Sequence, residues 1–277
     1  MKYLPSVKLL IFLLIAAILS SCQKVVVLDL NTVEPMLVIE GNITTKDDLP
    51  QTVFISTSGS FYTGEGIEAV GDATVILKDE EGTSITLEMY TPGVYFTYDY
   101  NPKENVEYSI EVTRKSEVYT GSEIFPTRKV IDTLSYVINK GFFGDGGLNE
   151  DGDSTYNIIC TFQDPEETLD FYRFVVHLND SLIQAGFNTY MVTDDELFNG
   201  QLFDLEIMGT GAIKGDTVTV DLQSTGFNTY RYYYGLNDAL NSGGMGSTPY
   251  NPISNLSNDA LGYFGAYTSD VQIIIIE

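Results

Sequence analysis

Between residues 36 and 125 apolar and polar positions alternate in short runs. In 106–112, Val106, Tyr108, Ile110 and Val112 fall on one side of an extended chain, and Glu107, Ser109 and Glu111 fall on the other. That period of two marks a half-buried strand. Weaker versions cover 36–43, 52–58, 73–79, 83–89 and 94–98. Turn residues punctuate them, at Lys46-Asp47-Asp48-Leu49-Pro50, Asp79-Glu80-Glu81-Gly82 and Thr91-Pro92-Gly93, while glycine-containing 61–71 reads as a loop. About seven short strands at this spacing predict a β-sandwich of immunoglobulin-like or transthyretin-like kind over 36–126.

The remainder, 127–277, predicts a second antiparallel β-sheet or barrel-like domain. Its strands fall near 131–140, 155–163, 170–179, 187–193, 202–208, 216–223 and 271–276. One segment changes period. Phe227, Tyr230, Tyr233, Tyr234, Asn237 and Leu240 recur at helical spacing, and Gly243-Gly244 stops the run. The spacing predicts a single helix over about 227–241, capped by Ser224 or Thr225 and lying over or plugging a curved sheet. The last run, Val271 to Ile276, predicts a buried strand, because such a strand left at an open edge would aggregate. Gly-Phe-Asn-Thr-Tyr occurs at 186–190 and at 226–230 with unrelated flanks, so it marks no repeat. The whole chain therefore reads as all-β with one helix.

The first 21 residues have a different character. Lys2 and Lys8 precede an apolar run from Leu9 to Leu19, too short to span a bilayer comfortably, and Leu19-Ser20-Ser21-Cys22 follows. These features predict a signal peptide over 1–21. The last four residues resemble a lipobox, which implies cleavage before Cys22, acylation of that cysteine (palmitate being the typical chain) and a lipidated linker over 22–35. Several acyl chains make a stable anchor where one would be marginal. No Asp follows Cys22, and by analogy with enteric bacteria this favours the outer membrane. The first acid after it is Asp29, so whether the chain faces the surface or the periplasm stays open.

Composition narrows the chemistry. The chain has 19 Tyr, 15 Phe and no Trp, a strand-former's palette. Its formal net charge of −25 repels phosphate backbones and argues against nucleic acid as a partner. Cys160 shares a strand face with Tyr156, Ile158 and Phe162, so it predicts an inert core thiol. The one histidine, His177, sits beside Arg173 and Val175 on the more polar face of its strand. With no Gly-x-Ser-x-Gly elbow and no His/Cys cluster, neither a serine triad nor a zinc site is supported. Carboxylates are numerous, but no spacing singles out a glycosidase pair. The metal candidate is calcium, at Asp145, Asn149, Asp151 and Asp153 in a glycine-permissive loop. The EF-hand register fails there, and the plainer reading is a solvated acidic loop, with no cofactor required. Asp194-Asp195-Glu196-Leu197-Phe198-Asn199-Gly200 is a second acidic loop whose Leu197 and Phe198 predict a turn pinned to the domain.

Several stretches together carry a resemblance. They are Glu34 to Ile43, Pro92-Gly93-Val94-Tyr95, Ile131-Asp132-Thr133-Leu134, Asp164-Pro165 with Phe171-Tyr172-Arg173-Phe174, Gly215 to Val220, and Asn258-Asp259-Ala260-Leu261-Gly262-Tyr263-Phe264-Gly265-Ala266-Tyr267. The chain resembles the Bacteroidota lipoproteins grouped as domain-of-unknown-function family 4249, in which Gly more usually stands at the Ala260 position. The resemblance implies an outer-membrane lipoprotein often encoded beside a TonB-dependent transporter, and it implies no reaction and no assigned site. The expectation is a non-enzymatic accessory or ligand-binding partner of such a transporter. The alternatives are a cell-surface adhesin or structural lipoprotein and, behind it, a carboxylate-based hydrolase. Oligomeric state is not legible.

Overall fold

The computed structural model describes residues 35–46, 49–59, 66–141, 147–149, 151–183, 190–241 and 250–277. The signal peptide expected over 1–21, Cys22 and Asp145 lie outside the described residues. Strands β1 (Leu37–Thr44), β2 (Gln51–Thr57), β3 (Glu68–Ala69), β4 (Thr74–Asp79), β5 (Ser84–Thr86), β6 (Glu88–Thr91), β7 (Val94–Thr97), β8 (Glu107–Arg114) and β9 (Glu117–Ile124) come first. Then follow β10 (Thr133–Ile138), β11 (Tyr156–Gln163), β12 (Phe171–Leu178), β13 (Ser181–Leu182), β14 (Met191–Asp194), β15 (Leu202–Ala212) and β16 (Thr217–Thr225). Helix α1 (Phe227–Asn241) and strands β17 (Leu261–Tyr267) and β18 (Asp270–Ile275) complete the described elements.

The strands form one large sheet ordered β13-β12-β16-β17-β1-β2-β7-β6, a four-stranded sheet β5-β4-β8-β9 and a three-stranded sheet β10-β11-β15. Among the described residues no sheet closes into a barrel, so the second half takes the antiparallel-sheet form of the expectation. Paired residues point the same way. The register therefore carries one face of the large sheet from Val53 and Ile55 through Ile39 and Ile43 to Phe264 and Ala266, and on to Leu222, Val220 and Val218. Both small sheets pack on that face. The four-stranded sheet closes a core around Ile39, Val75, Ile110, Val112, Phe125 and Phe264. The three-stranded sheet closes another around Ile158, Cys160, Phe162, Tyr172, Val176 and Val220.

Strand β17 has no strand assignment in the sequence reading, whereas 271–276 just after it does. β17 runs parallel to β1, with Gly41↔Phe264 and Ile43↔Ala266. Its neighbour β18 runs antiparallel to β16. The partner numbers pass from Thr225↔Tyr267 to Leu222↔Asp270 without a slip, and the Thr268 N–H donates to the Ser224 carbonyl at 3.0 Å across the gap. Residues 261–275 thus act as one long strand whose first half completes the first core and whose second half flanks the second.

Two glycines of that strand allow its close contacts. Gly262 has φ +92°, and a methyl group there would overlap the carbonyl oxygen of Ile39 on β1. A methyl on Gly265 would overlap the Thr229 hydroxyl of α1. Just upstream, the Asn255 side chain donates to the carbonyls of Ser122 and Phe264, both at 2.8 Å, and accepts the Phe264 N–H at 3.0 Å. It ties β9 to β17. The Asn258-to-Tyr267 motif is accordingly explained by backbone geometry.

Helix α1 lies on the outer face of the large sheet. Tyr232 stacks on Tyr263 at 4.4 Å, Tyr230 stacks on Phe171 at 5.0 Å, and the Thr229 hydroxyl accepts the Ala266 N–H at 3.2 Å. Its cap differs from expectation. Ser224 and Thr225 are strand residues inside β16. The first helical bond runs from Tyr230 N–H to the Gly226 carbonyl, so Gly226 is the N-cap residue. The capping carboxylate is Glu123 of β9, which accepts the Thr229 N–H at 3.0 Å. The final strand differs too. It is paired to β16, but Val271, Ile273 and Ile275 are exposed, and the chain turns only the alternate positions inward.

The Glu123 carboxyl is buried, which pushes it up to about 7 against the pull of the amide donors at the helix start. A raised folded-state value means the folded chain holds a proton that the unfolded chain releases near the ordinary 4.5. This contribution to stability is present below that pH, is lost as pH rises from there to about 7, and is flat above. Glu123→Gln keeps an acceptor for Thr229 and removes the titration. The loss of stability between pH 5 and 7.5, read from urea unfolding, is expected to shrink by about 1–3 kcal/mol. Equal pH slopes for parent and variant would contradict the assignment.

Candidate functional site

Two features of the described residues stand apart from simple core packing. The first is an aromatic surface at one end of the large sheet. Phe54 on β2 and Phe96 on β7 point outward, opposite the buried Val53, Ile55 and Tyr95. Tyr98 continues the same face just past β7. A register shift between Met89 and Thr91 in the terminal strand β6 turns Tyr90 onto Phe96, edge to face at 5.9 Å, and Phe96 meets Tyr98 the same way at 5.6 Å. Tyr90 is 77% exposed, Tyr98 66% and Phe54 48%. Rings held this way lose little conformational freedom when a partner covers them, and their mixed polarity suits a wet interface. By contrast, Tyr232, Tyr233 and Tyr263 form the seat of α1, with the Tyr233 and Tyr263 hydroxyls 2.8 Å apart and the latter bonded to Asn42. Their role is packing. The Arg173 guanidinium caps that group 4.2 Å over the Tyr233 ring.

The second feature is a buried cluster of acids in the C-terminal half. Asp164 follows β11, Asp170 precedes β12 and Asp195 follows β14, and the pairing of Phe171 with Asp194 brings Asp170 and Asp195 together. One carboxylate oxygen of each lies within 4.8 Å of the others. Asp164 and Asp195 have no exposed surface. Asp164 accepts the Tyr172 hydroxyl and, at 2.9 Å, the Gly200 N–H. Asp170 accepts the Thr168 hydroxyl at 2.7 Å and lies 3.4 Å from the Lys129 ammonium. Asp195 accepts the Asp170 N–H at 2.9 Å through Oδ2, and its Oδ1 has no partner. Burial pushes the Asp195 carboxyl up, and the charges of Asp164 and Asp170 push it the same way. Burial likewise pushes the Tyr172 hydroxyl up, and its bond to Asp164 adds to the effect.

The residues named from sequence are placed as follows. Asn149, Asp151 and Asp153 form a local turn in which the Asn149 side-chain oxygen Oδ1 accepts the N–H groups of Asp151 and Asp153 at 3.1 and 2.7 Å. Asp151 and Asp153 are exposed. The fourth member, Asp145, is outside the described residues, as is the lipidation candidate Cys22. Cys160 is fully buried, and its thiol is pushed up to about 12 by desolvation. His177 is half-buried on the outer face beside Thr219 and Leu182. In the 194–200 loop, Phe198 is buried and stacks on Phe203 at 3.8 Å, whereas Leu197 is 92% exposed. Only the former pins the turn. Sequence reading singled out Asp195 within an acidic loop but not its meeting with Asp164 and Asp170. The available signal was weak: acids at the ends of strands converge only when the strand order is known.

A family model described as "Domain of unknown function (DUF4249)" matches residues 23–273. No curated protein matches the chain. Among solved structures, a two-domain fibronectin type-III segment from chicken tenascin aligns with 69% of this chain and 90% of its own, at 14% identity and a TM-score of 0.21. A likeness at that level carries no argument, and the fold description rests on the strand pairing itself.

Proposed function

The chain belongs to the DUF4249 family of domains of unknown function, and because that membership assigns no activity we propose a role from its own surface and leader. It is a non-enzymatic lipoprotein of the outer membrane, held by acyl chains on Cys22, that docks on a TonB-dependent transporter as an accessory to uptake. The observation that carries the proposal is the ring surface of Phe54, Tyr90, Phe96 and Tyr98 beside the terminal strand β6. An edge strand with an aromatic face next to it offers a protein partner both backbone and side-chain contacts. The lipobox-like Leu19-Ser20-Ser21-Cys22 supports the address. Among the described residues the nucleophile candidates are poor. Cys160 is sealed in a core, and Asp164 and Asp195 are closed to any substrate.

The test uses the full chain with a C-terminal tag, purified from detergent-solubilised outer membranes. The parent is expected to bring down a β-barrel transporter, and a Phe54→Ser/Tyr90→Ser/Tyr98→Ser version is expected to lose it while melting at the parent's temperature. A Cys22→Ser version is expected to leave the membrane fraction. Recovery of no transporter, or equal recovery with the surface variant, would overturn the docking role.

A further inference from the structure

We infer that Asp164, Asp170 and Asp195 form a binding site for a hard divalent cation, calcium in the first instance. The site is distinct from the 145–153 loop suggested by sequence. The argument starts from charge. The three carboxylates are answered, among the described residues, by a single ammonium, that of Lys129. Buried charges persist only when paired, coordinated or neutralised by a proton. Hydrogen bonds account for both oxygens of Asp164 and one of Asp195, and Asp170 is held by Thr168 and Lys129. Asp195 Oδ1 is left over. It belongs to a side chain with no exposed surface, set in a cluster of acids, with no donor in reach. A buried carboxylate oxygen without a donor is suited to ligate a metal ion.

The geometry fits the ion. Calcium binds oxygen at about 2.3–2.6 Å, so ligand atoms of one ion lie up to about 5 Å apart. One oxygen from each Asp falls inside that span, at 4.8 Å or less. Asp170 is the partly exposed member and provides the side from which ion and coordinating water enter. The ligands also arrive on rigid supports. Asp164 and Asp170 bracket the β11–β12 connection, and Asp195 begins the turn that the Phe198 N–H closes onto its carbonyl at 2.8 Å. A bound cation would lock these two connections together beside α1, whose Tyr230 hydroxyl reaches the neighbouring Asp194 at 2.9 Å. The rival solution is a proton held by the cluster, and the experiment separates the two.

Full-length protein in detergent is stripped with EDTA, dialysed against metal-free buffer and titrated with Ca²⁺ and, separately, Mg²⁺ by calorimetry, with melting temperature followed in parallel. One saturable Ca²⁺ site is expected, with a melting temperature that climbs as the logarithm of free Ca²⁺. Asp195→Asn keeps the acceptor for the Asp170 N–H and is expected to lose at least tenfold in affinity while melting in EDTA at or above the parent's temperature. Should that variant misfold, Asp170→Asn at the more accessible edge is expected to show the same loss. An Asp151→Asn/Asp153→Asn version is expected to bind as the parent does. Absence of saturable binding and of any thermal shift with either ion would overturn the inference and leave the proton as the solution. So would parent-like affinity in Asp195→Asn or Asp170→Asn, or binding abolished by the loop variant.

Discussion

Gly262→Ala is expected to destabilise the chain by at least about 4 kcal/mol, enough to leave much of it unfolded at 37 °C. Two costs add. At φ +92° a side chain is strained, which is worth about 1–3 kcal/mol. The new methyl would also overlap the Ile39 carbonyl, so β17 would have to withdraw from β1 along their parallel pairing. The first core includes Phe264 and Ala266 from β17, so the withdrawal opens it. Gly82→Ala separates the two costs. Its φ is +97°, but a methyl there meets nothing within 4 Å, and it should lose only the strain, about 1–2 kcal/mol. Urea unfolding of the three proteins is the measurement. Equal losses in both variants would mean that β1 and β17 do not approach so closely in solution.

Phe162→Ala is expected to cost about 3–5 kcal/mol, the range for deleting a buried ring that its surroundings cannot refill. Phe162 has no exposed surface and meets four rings, Tyr172 at 4.8 Å, Phe174 and Phe203 at 5.9 Å and Phe198 at 6.0 Å. This substitution also tests how the two cores communicate. Residues 35–277 form one compact unit, and the strand 261–275 belongs to both cores. Scanning calorimetry should therefore show a single endotherm that moves down as a whole. Two endotherms, with only the upper or lower one displaced, would show that the shared strand does not couple the cores.

How far the sequence could be read differs by element. The extent of the helix was legible, since Phe227, Tyr230, Tyr234 and Asn237 repeat at its period and the structure has it at Phe227–Asn241, but the residues it buries are Thr229, Tyr232 and Gly235. The strict alternation in 106–112 marked β8 equally well. Strand β17 was not legible. Its glycines at 262 and 265 lower strand propensity, and they are present because β1 and α1 approach too closely for a Cβ. The cap of α1 was misread for a related reason. Ser224 and Thr225 are the local candidates, whereas the carboxylate that does the capping is Glu123, more than 100 residues earlier in the chain. In 94–98 the sequence shows apolar rings on both faces of a strand, and nothing local says that Tyr95 turns inward while Phe96 and Tyr98 form the outer surface.

By itself, then, the sequence determined the all-β class, the helix at 227–241, the burial of Cys160 and the expectation of a lipid-bearing leader. Those are properties of period, composition and neighbouring residues, which a chain carries whether or not it is folded. Tertiary structure alone decided that 261–275 threads both cores, that the helix cap is a distant carboxylate, which rings face out, and that three acids from separate strand ends meet, one of them with an unpartnered oxygen. Each of these depends on which strands pair and in what register, a choice made by the burial of whole faces at once and invisible in any local window.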